Sequence, residues 1–222
     1  MTSRRDVKPE RARRPRVQRK PEGRFHHPDL REALVRAGIA GVEEHGHVAV
    51  SLSHLAARAG VTQPAVYRHF ASKEALLAEV AARGLADLDA AMTAAIDAHR
   101  DDPFTAIEAT GRVYVRFAHA NPGWFRLYFT RHHIEVVRPP GPPPTSASRP
   151  ALLDAIARLV PPGDPVVFDL FRVMWALSHG LAVFVVERTF QLVQTDEERI
   201  AAADAALRLQ VDLLRAHHRV RS

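Results

Sequence analysis

The chain of 222 residues has no cysteine, which excludes disulfides and thiolate metal sites. That absence is consistent with a cytosolic protein. No apolar run approaches the ~20 residues of a spanning helix, so no transmembrane segment is expected. The opening lacks a charged-then-apolar pattern, so no export signal is expected either. Nothing alternates at period two beyond 47–51, which is too short for a sheet. A Gly-rich phosphate loop, a Ser/His/Asp spacing and a paired-carboxylate motif are all missing, so no enzyme is expected. Histidine is plentiful at 13, but His132–His133 and His217–His218 are adjacent pairs. Neighbours on a helix point about 100° apart and make no chelating face, so neither a metal nor a cofactor is expected.

Hydrophobic residues make up 46% of the chain, enough for a folded core. The net charge of +6 is unevenly placed. Residues 1–24 hold ten Lys/Arg against three Asp/Glu, and the other 198 residues sum to −1. With little to bury, 1–26 reads as a disordered basic tail, either a solubilising segment or an arm that adds phosphate contacts.

The densest information lies in 51–73, SLSHLAARAGVTQPAVYRHFASK. Leu52, Leu55, Ala56 and Ala59 repeat at helical spacing behind Ser51, an N-cap residue. Gly60 supplies the left-handed stop, Thr62 caps a second helix, and Pro64 falls in its first turn, where no N–H is needed. Val66 and Phe70 should pack inward, while Gln63, Ala65, Tyr67, Arg68 and His69 should face outward. Arg58, Arg68 and Lys73 meet no acid in this stretch. Two angled helices with an acid-free face suit the major groove of DNA.

The run LAARAGVTQPAVYRHFASKEALL resembles the DNA-binding segment of TetR-type transcriptional regulators. Its glycine turn, its aromatic-x-His-Phe close and the following Lys carry the likeness, which is strong over residues 28–77. The resemblance implies that Gln63, Pro64, Ala65, Tyr67, Arg68, His69 and Lys73 face DNA, with Ser51 and Ser53 meeting phosphate or a base edge. It further implies a homodimer on a palindromic operator, a small-molecule effector and a cytoplasmic location. A repressor is the expected sign, with an activator or an effector-free regulator as alternatives. The competing class is a helical small-molecule-binding protein or enzyme in which the hairpin is only scaffold.

The fold expected is all-α, with about nine helices at 3.6-residue periodicity. The tail at 1–26 precedes a helix–turn–helix domain over 27–75 and a helical body over 76–222. A helix over 28–45, begun by Pro28 and ended by Gly46, should support the motif, with Val48 and Val50 closing its core. Ser72 caps a helix reaching about residue 98. Asp102–Pro103 and Asn121–Pro122 open the next two. Residues 138–149 read as a flexible Pro-rich loop, with a short helix from Pro150 to about Val160. A very apolar helix follows Asp164–Pro165 and should be buried on more than one side, and Thr195 with Glu198 forms a capping box for the last. That last helix has an apolar surface wide enough to expect dimerisation through the final two helices.

The body gathers His119, Trp124, Phe125, Tyr128, Phe171, Met174, Trp175, Ser178 and His179. Apolar walls with a few polar groups make a candidate ligand pocket, and a core is the alternative reading. The run from Trp175 to Gly180 resembles a Trp/His/Gly signature of one C-terminal subfamily, with Gly180 placed for a close helix approach.

Overall fold

The computed structural model describes residues 30–129, 146–189 and 195–221. The basic tail, Pro28, His132–His133 and loop residues 138–145 lie outside the described residues. Among those described there are nine helices and no strand. They are α1 (Leu30–Ala49), α2 (Leu52–Arg58), α3 (Gln63–Tyr67), α4 (Lys73–Ala98), α5 (Pro103–Ala120), α6 (Pro122–Phe129), α7 (Ser148–Ala157), α8 (Val166–Glu187) and α9 (Asp196–Arg221).

Local signals set most helix ends. The Ser51 hydroxyl accepts from His54 N–H at 3.2 Å, and that of Ser72 from Ala75 N–H at 3.2 Å. The Asp102 carboxylate accepts from the Phe104 and Thr105 amides at 3.0 and 3.2 Å. Thr195 and Glu198 exchange two bonds, at 2.9 and 3.1 Å, completing the capping box. Gly60 takes φ +69° and Gly46 φ +75°, left-handed values that glycine adopts without a steric penalty.

The departures are informative. Thr62 has an extended cap backbone, but its hydroxyl makes no capping bond. Val48 is 79% exposed, because the Gly46 break redirects 47–49 away from the core that Val50 enters. The helix read as starting at Pro150 starts at Ser148, so the tail of the 138–149 loop is helical. Its N-terminus is held from α4: the Asp89 carboxylate accepts from Ser146 Oγ, Ser148 Oγ and the backbone N–H groups of Ala147 and Ser148. Asn121 does not cap α6; its amide donates to the Phe117 carbonyl and closes α5. Helix α8 is enclosed less than its composition suggested, with Phe168, Val173, Trp175 and Phe184 exposed. Helix α8 is long and apolar enough to cross a membrane by length and composition alone; here it packs on α5, α7 and α9.

Helix α4 joins two regions. Its first turns bury Leu76, Leu77 and Val80 beside α1, where a Cβ on Gly38 would press on Val80. Its later turns put Leu88 and Ile96 into the two clusters of the body. Helix α5 lies at the centre of that body, against α4, α7, α8 and α9. Arg112, Arg116 and Arg208 meet Glu108 and Asp204, binding α5 to α9.

Candidate nucleic-acid interface and ligand cavity

Helices α2 and α3 are joined by the Gly60 turn, closed by the Val61 N–H to the Ala56 carbonyl at 2.9 Å. Leu52, Leu55, Ala56, Val66 and Phe70 are buried beneath them. This fixes the outer face of α3, which presents Gln63, Pro64, Tyr67, Arg68 and His69, all exposed. Ser51 and Ser53 are exposed beside it, their hydroxyls 3.1 Å apart. Ala65 is not on that face. It is 8% exposed and lies inside the motif with Val66, so its expected methyl contact to a base is unavailable in this arrangement.

The three cations of the stretch differ in their surroundings. Arg58 pairs through both guanidinium nitrogens with Glu44 of α1, at 2.6 and 2.7 Å. That bond is the main reason the Glu44 carboxyl sits below its ordinary range. Lys73 Nζ donates to the Val48 carbonyl at 2.7 Å, keeping its charge near the surface. The Arg68 guanidinium has no bond to the described residues and is free for a phosphate or a guanine edge.

In the body a cavity of about 1110 Å³ opens between α4, α5, α7 and α8. Five residues singled out from the sequence line it: Tyr128, Phe171, Met174, Trp175 and Ser178. The other four do not. Trp124 and Phe125 are each 4% exposed and belong to the packed core. The Trp124 indole N–H donates to the Ala81 carbonyl at 3.1 Å, and a Cβ on Gly84 would overlap that ring. His179 stands behind the wall: Nδ1 meets the Tyr114 hydroxyl at 2.9 Å and its ring stacks on Trp175 at 5.3 Å. Burial lowers the His179 pKa and pushes the Tyr114 hydroxyl well above its ordinary value, so the pair is neutral. His119 is half-buried on α5 and stands off the cavity wall. Gly180 has open space where a Cβ would point, so no helix among the described residues packs against it there.

Sequence reasoning missed Asp89, Met92, Thr110, Tyr114 and Gln210 on the cavity wall. Met92 lay within the α4 stripe, but only the packing of α4 against α5 reveals which turns of that stripe border space.

A link between the two regions was also missed. The Glu43 carboxylate of α1 accepts from the Gly123 and Trp124 backbone N–H groups, each at 2.8 Å. It is the cap of α6, supplied from the helix that supports the DNA motif. Gly123 is required there, because a Cβ would run into the Val42 carbonyl.

The sequence pattern described as "Bacterial regulatory proteins, tetR family" matches residues 34–80. That described as "Tetracyclin repressor-like, C-terminal domain" matches residues 107–217. An uncharacterized HTH-type transcriptional regulator of Bacillus subtilis, YobS, is 30% identical over 100 residues, 45% of this chain and 51% of that protein. The chain thus spans about half the length of that curated relative. A protein of unknown function from Rhodococcus sp. RHA1 superposes with a TM-score of 0.60 at 27% identity, over 84% of this chain and 98% of the other. A TetR-family transcriptional regulator from Pectobacterium atrosepticum has the same fold, with a TM-score of 0.53 at 22% identity over 82% and 92% of the two chains.

Proposed function

We propose that this chain, which belongs to the tetR family of bacterial regulatory proteins, represses transcription as a homodimer on a palindromic operator and releases it when a small molecule enters the body. Regulation of transcription through a DNA-binding helix–turn–helix is the family's function. The repressor sign, the dimer and the ligand response are the finer reading. The observation that carries it is the outer face of α3, with Gln63, Tyr67, Arg68 and His69 exposed and no acid from 51 to 73. Gln63 and Arg68 suit base edges, while Tyr67, His69, Lys73 and the two serines suit phosphates. The domain boundaries proposed are 27–75 for the DNA-binding part and 76–222 for the body, with work done in the cytoplasm.

The homodimer reading is supported by an apolar surface left open on the last two helices. Phe168, Val173 and Phe184 of α8 and Leu209 and Leu213 of α9 are exposed, and Gly180 leaves room for a partner backbone. Patches of this kind on a soluble chain mark an interaction site. A second copy would cover them as a four-helix bundle.

Coupling runs through α4 and α6. Helix α4 borders the cavity with Leu85, Leu88 and Met92 and also packs under the DNA motif; α6 borders it with Tyr128 and Phe129 and is capped by Glu43. A ligand that fits one spacing of these helices better than another shifts the two motifs off the groove spacing.

Arg68→Ala combined with Tyr67→Phe tests the interface. Both side chains are exposed, so thermal stability should hold. Operator affinity should fall by about 1–3 kcal/mol or more. Unchanged DNA binding would move the function to the competing class, in which the hairpin is scaffold.

A further inference from the structure

The cavity's polar groups are mostly spent within the fold. The Thr93 hydroxyl donates to the Asp89 carbonyl at 2.8 Å, and that of Thr110 to the Ala106 carbonyl at 2.7 Å. The Tyr114 hydroxyl is engaged by His179. The Asp89 carboxylate accepts four bonds at the start of α7; burial opposes its charge, and those bonds more than offset this, leaving its pKa below the ordinary value. Asp97 and Arg172, on the rim, are exposed and pair with Arg100 and Asp169.

Arg149 reaches the cavity from the exposed start of α7, and two uncharged lining groups are left. Ser178 is 8% exposed, and its hydroxyl makes no hydrogen bond to the described residues. Gln210, also on the wall, has a carboxamide equally without a partner among them. Both are uncharged, and both can donate and accept. The Ser178 hydroxyl is not among the fully buried unpartnered atoms, so it opens to the cavity, where a ligand oxygen can replace its water. The rest of the wall is Leu85, Leu88, Met92, Ile107, Phe129 and Met174 among others, apolar and in part flexible.

We propose that this cavity takes an uncharged, lipophilic molecule carrying one hydroxyl or carbonyl oxygen, anchored by the Ser178 hydroxyl and the Gln210 carboxamide. The inference rests on the effector reading above and names the class of that effector. A charged head group would lose its hydration in the cavity, and the one carboxylate on the inner wall, Asp89, already accepts four bonds from the start of α7. The cavity of about 1110 Å³ holds a molecule of drug size or somewhat larger.

The test uses the full chain and pyrene, a fluorescent hydrocarbon that forms no hydrogen bond of its own. Pyrene is displaced in turn by 1-dodecanol, dodecanoate and dodecylammonium, which share one chain and differ in head group. Dodecanol should displace it at concentrations about tenfold or more below those of either ion. Ser178→Ala should weaken dodecanol about 3- to 10-fold and leave pyrene within about twofold. Thr93→Phe, which fills space from α4, should weaken both. Equal or better displacement by either ion would overturn the proposed class while leaving a cavity-binding effector in place. A Ser178→Ala protein that binds dodecanol as well as the parent would overturn the anchor. Saturable pyrene binding indifferent to Thr93→Phe, or no saturable binding at all, would overturn this inference and count against the effector reading too.

Discussion

Glu43→Gln isolates the cap that joins α1 to α6. The substitution keeps size and shape but replaces a carboxylate that accepts from two backbone N–H groups, both at 2.8 Å, with a neutral amide offering one acceptor. A hydrogen bond to a charged group is worth ~1.5–3 kcal/mol against about 1 for a neutral one. Losing an N-cap costs ~0.5–2 kcal/mol. The retained oxygen satisfies one N–H, so the expected loss is ~1–2 kcal/mol, which for a chain of this size lowers Tm by ~2–8 °C. The effect should be local as well as global. Amide hydrogen exchange at Gly123 and Trp124 should quicken before the rest of the body responds. Glu44→Gln is the control: it changes the same charge one residue along, but breaks only exposed pairs, with Arg58 and His45. Equal Tm shifts for both variants, with exchange at Gly123 and Trp124 unchanged, would refute the cap as the link.

Gly84→Ala should destabilise by ~1–3 kcal/mol through overpacking, because the new methyl overlaps the Trp124 indole, and a shift in tryptophan emission would report the displaced ring. Leu209→Asp with Leu213→Asp places two charges on exposed leucines of α9, so a homodimer should dissociate in sedimentation while helical content is retained. His179 gives a pH signature. Burial lowers its pKa from 6.5, so between the folded value and 6.5 the unfolded chain binds more protons, and stability falls as pH drops below about 6.5. His179→Gln should flatten that part of the profile in urea titrations at several pH values.

Much of the fold was legible because its signals are local. Ser51, Ser72, Asp102 and the Thr195–Glu198 box each act within three residues, so spacing alone reveals them. The caps of α6 and α7 are supplied by Glu43 and Asp89, from 80 and 59 residues away, and no local pattern announces them. The same limit governs the site. Exposure of Tyr67 and Arg68 follows from helical periodicity, whereas burial of Ala65 depends on how α3 sits against its neighbours. The aromatic run of α6 has one composition but divides in space: Trp124 and Phe125 fill core, while Tyr128 and Phe129 border the cavity. Trp124 is drawn inward by the Ala81 carbonyl and the space at Gly84, neither of which is visible until α4 and α6 are packed.

The central claim is sequence-specific DNA binding through α3. Its most direct test is selection of bound fragments from genomic DNA, followed by a salt titration on the recovered site. The expected result is a palindromic site with half-sites about one helical turn or a little more apart. Its affinity should be ~10⁻⁸ M or tighter, with a log–log salt slope reflecting several phosphates. Recovery of random fragments only, with binding abolished by removing residues 1–24 and untouched by Arg68→Ala, would contradict it and assign all DNA affinity to the basic tail.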